Sequence, residues 1–214
     1  MTKPAFKLPF KMTNRIRTVL TLLCLVAAWI IATPSDSWRY RMTVTLTTPD
    51  GEKTGSAVRE VTVHKGIGLT GLPPSIEVDG EAIAIEVAPH EYVFALLIDE
   101  THGQDYAGKV MLDAFPDKKK EGRATLAPET YPMFVRFDSL VVPQSVARAD
   151  VAVKDITIEI TDAPVIWSLR KQLPWLPNYG YLRLDGDPFK KEKPEHPFAN
   201  ALHSHAFSTN AAHK

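Results

Sequence analysis

The sequence predicts a mainly β protein: a single antiparallel β-sandwich-like domain with one or two short helices, preceded by an N-terminal transmembrane helix. Three observations carry this. Residues 38–47 alternate apolar and polar side chains almost without error. Residues 92–98 (YVFALLI) form a continuous apolar run. Residues 18–33 hold no charge, no glycine and no proline. The first is the period of a half-buried strand, the second that of a strand covered on both faces, and the third that of a membrane span.

The elements follow in chain order. In the first strand Trp38, Tyr40, Met42, Val44 and Leu46 share one face. Thr48-Pro49-Asp50-Gly51 is a turn, and Ala57 to His64 returns with Val61 and Val63 inward. Residues 65–75, with three glycines and two prolines, read as a loop. Ile76 to Val78, then Asp79-Gly80, then Ile83, Ile85 and Val87 predict a second hairpin. Tyr106, Val110 and Ala114 recur every four residues, the spacing of a short helix. Residues 116–130 read as a loop. Met133 to Phe137 and Asp155 to Thr161 are strands, the latter with Ile156, Ile158 and Ile160 inward. Asp162 and Pro164 would open a helix carrying Val165, Leu169 and Leu173, ended by Pro174 and Pro177. Tyr181 to Leu184 would be a last short strand.

The organisation expected is a cytoplasmic stub (1–15), a signal-anchor helix (16–34), a β-rich domain (38–186) and a disordered tail (187–214). The tail holds Pro188, Pro194 and Pro197, and its Phe189, Phe198 and Phe207 fit neither a strand face nor a helical stripe. It is therefore expected to be dispensable for folding. Should it dock instead, the aromatic cluster at 167–181 is its expected receptor.

Charge supplies the topology. The 214 residues carry 25 basic and 25 acidic side chains, so no basic excess points to nucleic acid. The balance hides a split: Lys3, Lys7, Lys11, Arg15 and Arg17 precede the first acid, Asp36. The apolar stretch after them spans about 24 Å as a helix, against ~30 Å of hydrocarbon. Arg17 and Ile16 extend it at one end, and Trp29 and Trp38 suit the interface at the other. With every flanking cation on one side, the N-terminus is expected in the cytoplasm and the body on the far side of the inner membrane, in the periplasm or cell envelope. A cleaved signal peptide is the competing reading, but Ile30 fits a small-residue cleavage site poorly. The single Cys24 excludes an internal disulfide and any multi-cysteine metal site.

Two groups of residues could carry function. Asp99, Glu100, His102 and Asp105 gather carboxylates and an imidazole just after the buried run, a pattern suited to acid–base work or a divalent ion. The plainer alternative is a solvated turn bent at Gly103, and no established metal-binding spacing is present. Trp167, Trp175, Tyr179 and Tyr181 could form an interaction surface, or could seal one end of the sandwich. Ser56 lacks a nucleophile elbow, since residues 54–58 read TGSAV. Four of the seven histidines fall in the last nineteen residues, as expected of a polar tail.

Several segments taken together carry a resemblance: the anchor running into Trp38-Arg39-Tyr40-Arg41, Gly55-Ser56-Ala57-Val58, Phe94 to Leu97, Leu173-Pro174-Trp175-Leu176 and Leu184-Asp185-Gly186. Over residues 15–186 the chain resembles a family of uncharacterised bacterial single-pass membrane-anchored proteins with an extracytoplasmic β-rich domain. The resemblance implies the anchor and the β-domain, and no activity, catalytic residue or cofactor.

The expected function is a non-enzymatic extracytoplasmic binding or assembly module with the membrane and an envelope protein as partners, no cofactor and no nucleic acid. The alternatives are a small-ligand or lipid carrier with its pocket between the sheets, and an envelope hydrolase using the 99–105 loop.

Overall fold

The computed structural model describes residues 35–66, 73–117, 121–179, 182–185 and 194–209, together with Thr18, Val19, Thr21 and Leu22. The stub and most of the predicted span lie outside the described residues. The four described positions within the span are helical, and Val19 and Leu22 are exposed. Among the described residues no helix is long and apolar enough to cross a membrane. The chain divides into two units, one of residues 1–35 and 64–75 and the other of residues 36–63 and 76–214. The second unit holds the fold described below.

Its strands are β1 (Ser35–Thr48), β2 (Gly51–His64), β3 (Ser75–Asp79), β4 (Ile83–Ala88), β5 (Glu91–Ala95), β6 (Arg123–Thr125), β7 (Phe134–Phe137), β8 (Val146–Arg148) and β9 (Ala152–Ile160). Sheet 1 has the order β3-β2-β1-β9-β6 and sheet 2 the order β4-β5-β7-β8. The alternation of β1 does what it predicts: Tyr40, Met42, Val44 and Leu46 are buried, and the strand runs antiparallel to β9 with Met42 opposite Ile158. Pro49 and Asp50 turn the chain into β2, with Gly51 at φ +107° and the Thr48 hydroxyl donating to its carbonyl. The helix expected at 106 forms as α1 (Tyr106–Ala114).

β5 explains the layering. Val93, Ala95 and Leu97 enter the core between the sheets, while Phe94 and Leu96 enter a second core on the other face of sheet 2. A strand buried on both faces needs cover on both. Sheet 1 and α1 supply the first cover. Residues from 169 onward supply the second: Leu169, Leu173, Trp175, Leu176, Leu202 and Phe207 pack against Phe94, Leu96 and Val135.

This corrects the expectation of a disordered tail for residues 194–209, while residues 187–193 and 210–214 lie outside the described residues. Residues 194–209 include a helical turn, α2 (Pro197–Ala201), and a 3-10 turn at Ser204–Ala206, and Leu202, Ala206 and Phe207 are buried. Backbone bonds fix them: Ala82 N–H donates to Phe207 O at 2.7 Å, Leu97 N–H to Ala206 O at 2.9 Å and Thr209 N–H to Gly80 O at 3.1 Å. The three-fold recurrence of proline limits regular helix but leaves enough apolar side chains to fill a face that the sheet has already paired and shaped.

Two further expectations fail for identifiable reasons. Ile76–Val78 and Ile83–Val87 are not one hairpin. β3 belongs to sheet 1 and β4 to sheet 2, so Asp79-Gly80 is the crossover between sheets. Gly80 is needed there for space: a Cβ on it would lie 2.7 Å from Arg59 Cγ. The hairpin partner of β4 is β5, with Ile85 opposite Val93. The helix expected from Asp162 is also absent. Residues 161–168 run without regular structure, alternately half-buried and exposed, and end in a 3-10 turn at Leu169–Lys171. The Glu81 carboxylate accepts the backbone N–H groups of Ser168 and Leu169 at 2.6 and 2.8 Å, which offers this segment tertiary partners in place of helical ones.

Candidate functional site

The loop after β5 separates its acidic residues. Asp99 is buried, and its carboxylate accepts the His102 backbone N–H and lies 2.7 Å from His102 Nδ1. Gly103, at φ +56°, closes this turn and bridges back to Asp99. Glu100 points elsewhere and pairs with Arg148 at the surface. Asp105 is exposed at the start of α1 and makes no side-chain capping bond. Of the four candidates, the fold therefore brings together only Asp99 and His102. No group of three or more metal-ligating side chains occurs among the described residues.

The Asp99–His102 pair borders a groove of about 350 Å3 between α1 and residues 124–130, lined by Tyr106, Val110, Leu126 and Thr130. The Tyr106 hydroxyl donates to Thr130 O at 2.9 Å, and burial pushes its pKa far up.

The aromatic group is also divided. Trp175 is a core residue: its ring meets Phe137, Tyr179 and Phe207 at 5.8, 5.2 and 5.8 Å between centroids. Its indole N–H donates to Leu140 O at 3.0 Å. Tyr179 accepts from Gln144 Nε2 at 3.3 Å. Trp167 is half-buried outside this cluster, and Tyr181 lies outside the described residues. Trp175 and Tyr179 seal the second core rather than offering an outer surface.

Sequence reasoning singled out neither Arg59 nor Glu81, both of which are buried. Arg59 is 0% exposed, in the core between the sheets. Its Nε donates to Glu81 O at 3.2 Å, one Nη reaches Met42 Sδ at 3.5 Å, and the other Nη has no hydrogen-bond partner. The guanidinium also lies near the Tyr40 phenol, which donates to Ala107 O at 2.7 Å. Burial raises the Tyr40 pKa, against the opposing effect of Arg59. The signal was present in the parity of β2: Arg59 shares the inward phase of Val61 and Val63.

Glu81 stands on the wall of a cavity of about 410 Å3 between β2, the start of β4 and residues 166–172. Burial is the main cause of its raised pKa, opposed by hydrogen bonds from Leu169, Ser168 and Ser208 and by the charge of Arg170. Arg41 and Gln172 line the same cavity, with Ala57 and Ala84 on its apolar side. Gln172 Oε1 is buried and accepts no hydrogen bond. Arg41 stands opposite Glu159 across the β1–β9 ladder, but forms no ion pair with it or with any other described residue. Arg41 and the Glu81 carboxylate thus line one cavity, beside small apolar side chains.

No family model, no curated protein and no solved structure matches this chain.

Proposed function

We propose that the chain is a membrane-anchored extracytoplasmic binding module that receives its partner in the cavity between β2, β4 and residues 166–172. The observation that carries this reading is a cavity of about 410 Å3 on whose wall Arg41, half-buried and in no ion pair with a described residue, stands beside small apolar side chains. An arginine without an ion pair on the wall of a cavity offers a charged, planar donor fork to an incoming group. The space between the sheets, where a carrier would hold its cargo, is filled by Tyr40, Met42, Ile83, Val93 and Ile156. The anchor and its orientation rest on the five N-terminal cations and the uncharged stretch that follows them.

The test is photocrosslinking in the native cell. A photoreactive amino acid at Ile166, which is 66% exposed on the cavity rim, should trap a reproducible adduct from the full-length chain. Protease added to spheroplasts should digest the body. A full-length chain that is abundant in the membrane and traps nothing at Ile166 sinks the binding reading. A protected body sinks the topology.

A second reading attaches to Asp99 and His102. A buried carboxylate holding Nδ1 fixes an imidazole so that its Nε2 can serve as a general base, and the ring lines an apolar groove. This is the arrangement that an envelope hydrolase would use. Hydrolysis of a chromogenic short-chain ester should then fall at least a hundredfold in His102→Ala. Equal rates in the two proteins remove this reading.

A further inference from the structure

We propose that the groove between α1 and β6 takes an extended peptide segment as a further strand of sheet 1, with aliphatic residues at its first and third positions and a lysine or arginine at its fifth. The groove shares no lining residue with the cavity beside Glu81, so this inference stands apart from the reading given to that cavity. It uses the β6 backbone rather than His102.

The hydrogen-bond parity of β6 leaves one edge open. β6 is the last strand of sheet 1, with β9 as its neighbour. Leu126 N–H donates to Ile156 O, and Gly122 O accepts from Ile160 N–H, so the even-numbered residues direct their backbone groups at β9. The N–H and C=O groups of Arg123 and Thr125 therefore point the other way, and no described residue bonds them. An unpaired strand edge is a template for another strand. Ala124, Thr125, Leu126 and Ala127 all border the groove. Consecutive strand residues face opposite ways, so a groove that touches four in a row runs along the edge of the strand.

α1 forms the other wall. It runs antiparallel to β6: the Tyr106 hydroxyl at its start donates to Thr130 O, and the Phe115 ring just past its end lies against Gly122. At about 1.5 Å per residue its nine residues span roughly 13 Å, about the reach of a five-residue strand. In a peptide antiparallel to β6, the first, third and fifth residues stand opposite Leu126, Ala124 and Gly122 and share their face. That face is apolar, with Leu126 buried and Val110 on the α1 wall, so the first and third residues are aliphatic. The fifth reaches the end of α1. There Asp113 lines the groove, exposed and in no ion pair with a described residue. The groove's other carboxylate, Asp99, is held by His102, and among the described residues no lysine or arginine lines the groove. Arg123 stands on the outer face of the sheet, opposite Glu159. A cation at the fifth position complements this charge pattern. Strand addition of this kind takes affinity from main-chain bonds and specificity from alternate side chains.

The test is fluorescence polarisation with the full-length chain in nanodiscs and the peptide amide Val-Thr-Val-Thr-Lys, labelled with fluorescein through an N-terminal Gly-Ser linker. It should bind, and the same peptide ending in glutamate should bind at least tenfold more weakly. N-methylation of either threonine should weaken binding at least tenfold, because those N–H groups face β6. N-methylation of the middle valine, whose N–H points away, should change it by less than about threefold. Asp113→Lys should reverse the preference for lysine over glutamate with an unchanged thermal midpoint. Thr125→Pro removes an outward N–H while sparing the ladder to β9, and should abolish binding. The N-methyl series reads the pairing on the unaltered protein, so it decides even where Thr125→Pro fails to fold. Equal losses from N-methylation at valine and at threonine overturn strand pairing. Equal binding of the lysine and glutamate peptides overturns the charge assignment. Absence of binding by every peptide overturns the proposal. A dimer of the chain that Thr125→Pro dissociates would show that a second copy takes this edge, which overturns the peptide as its occupant.

Discussion

Trp175 and Phe207 meet edge to face, with ring centroids 5.8 Å apart and planes inclined at 80°, in the layer that covers the second face of sheet 2. Phe207 also lies 5.7 Å from Phe137 and 6.4 Å from Phe94, so one tail residue meets three other aromatic rings. Residues that sequence periodicity assigned to a dispensable tail are therefore part of the core. Of the aromatic residues named as its receptor, Trp175 meets Phe207, whereas Trp167 lies outside this cluster and Tyr181 outside the described residues.

Phe207→Ala should cost about 3–5 kcal/mol, the usual range for deleting a fully buried aromatic ring. Truncation after Gly186 should cost more, because it also strips the backbone partners of Ala82 and Leu97. Urea unfolding of the full chain in detergent checks both. A midpoint that does not move in either variant would mean that this layer contributes nothing.

Gly55 permits the two sheets to approach at β2 and β4. A Cβ there would lie 2.7 Å from Ile85 Cγ1, 2.8 Å from Ile83 Cγ2 and 2.9 Å from the Ala84 carbonyl oxygen. A backbone atom among the three leaves little room for adjustment. Gly55→Ala should destabilise by about 1–3 kcal/mol, as overpacking does, although alanine has the better strand propensity. An increase in stability would show that the contact is looser than these distances.

What the sequence made legible was whatever depended on period. The alternation of β1 and β9 placed Tyr40, Val44, Ile156 and Ile158 correctly because a half-buried strand is read from two residues at a time. What escaped depended on partners remote in sequence. Asp79-Gly80 has the chemistry of a hairpin turn, but it joins strands of different sheets, and Gly80 packs on Arg59 from a distant part of β2. Residues 162–168 carry helical signals that lose to Glu81. The ordered tail was foreshadowed by β5 itself, since Phe94 and Leu96 required a cover on the second face of sheet 2. Within the candidate loop, the short-range pair Asp99–His102 was legible, while the diversion of Glu100 to Arg148 was not.

Arg59 is a buried cation whose described partners are a carbonyl, a thioether and a phenol, with no carboxylate among them. Desolvating a charge without a counter-charge is expensive. Arg59→Met keeps the length of the side chain and its packing on Gly80 while removing the charge. It should raise the unfolding midpoint, whereas Arg59→Ala should lower it by opening a cavity. A strong loss of stability in Arg59→Met would show that the guanidinium's hydrogen bonds outweigh its desolvation.

Glu81 should give the fold a distinctive pH dependence. Its carboxyl is held above the ordinary carboxylate range, chiefly by burial, so the folded protein binds a proton more readily than the unfolded chain. The sign follows from linkage. The contribution is fully present below the unfolded pKa, about 4.3, and is lost as pH rises through the raised folded value. Glu60 works in the opposite sense. Hydrogen bonds from Ser37 and Arg39 lower its pKa, so its contribution is present above the unfolded value and lost on acidification. The whole-protein profile mixes the two, and the measurement must therefore be a difference. Glu81→Gln keeps an oxygen for the Ser168 and Leu169 N–H groups and removes the titration. Between pH 7 and pH 4.5 the wild-type chain should gain stability relative to Glu81→Gln, and at pH 7 the variant should be the more stable of the two. A difference that stays flat over this range, or that runs the other way, would show that the hydrogen bonds from Leu169, Ser168 and Ser208 hold the carboxylate ionised against its burial.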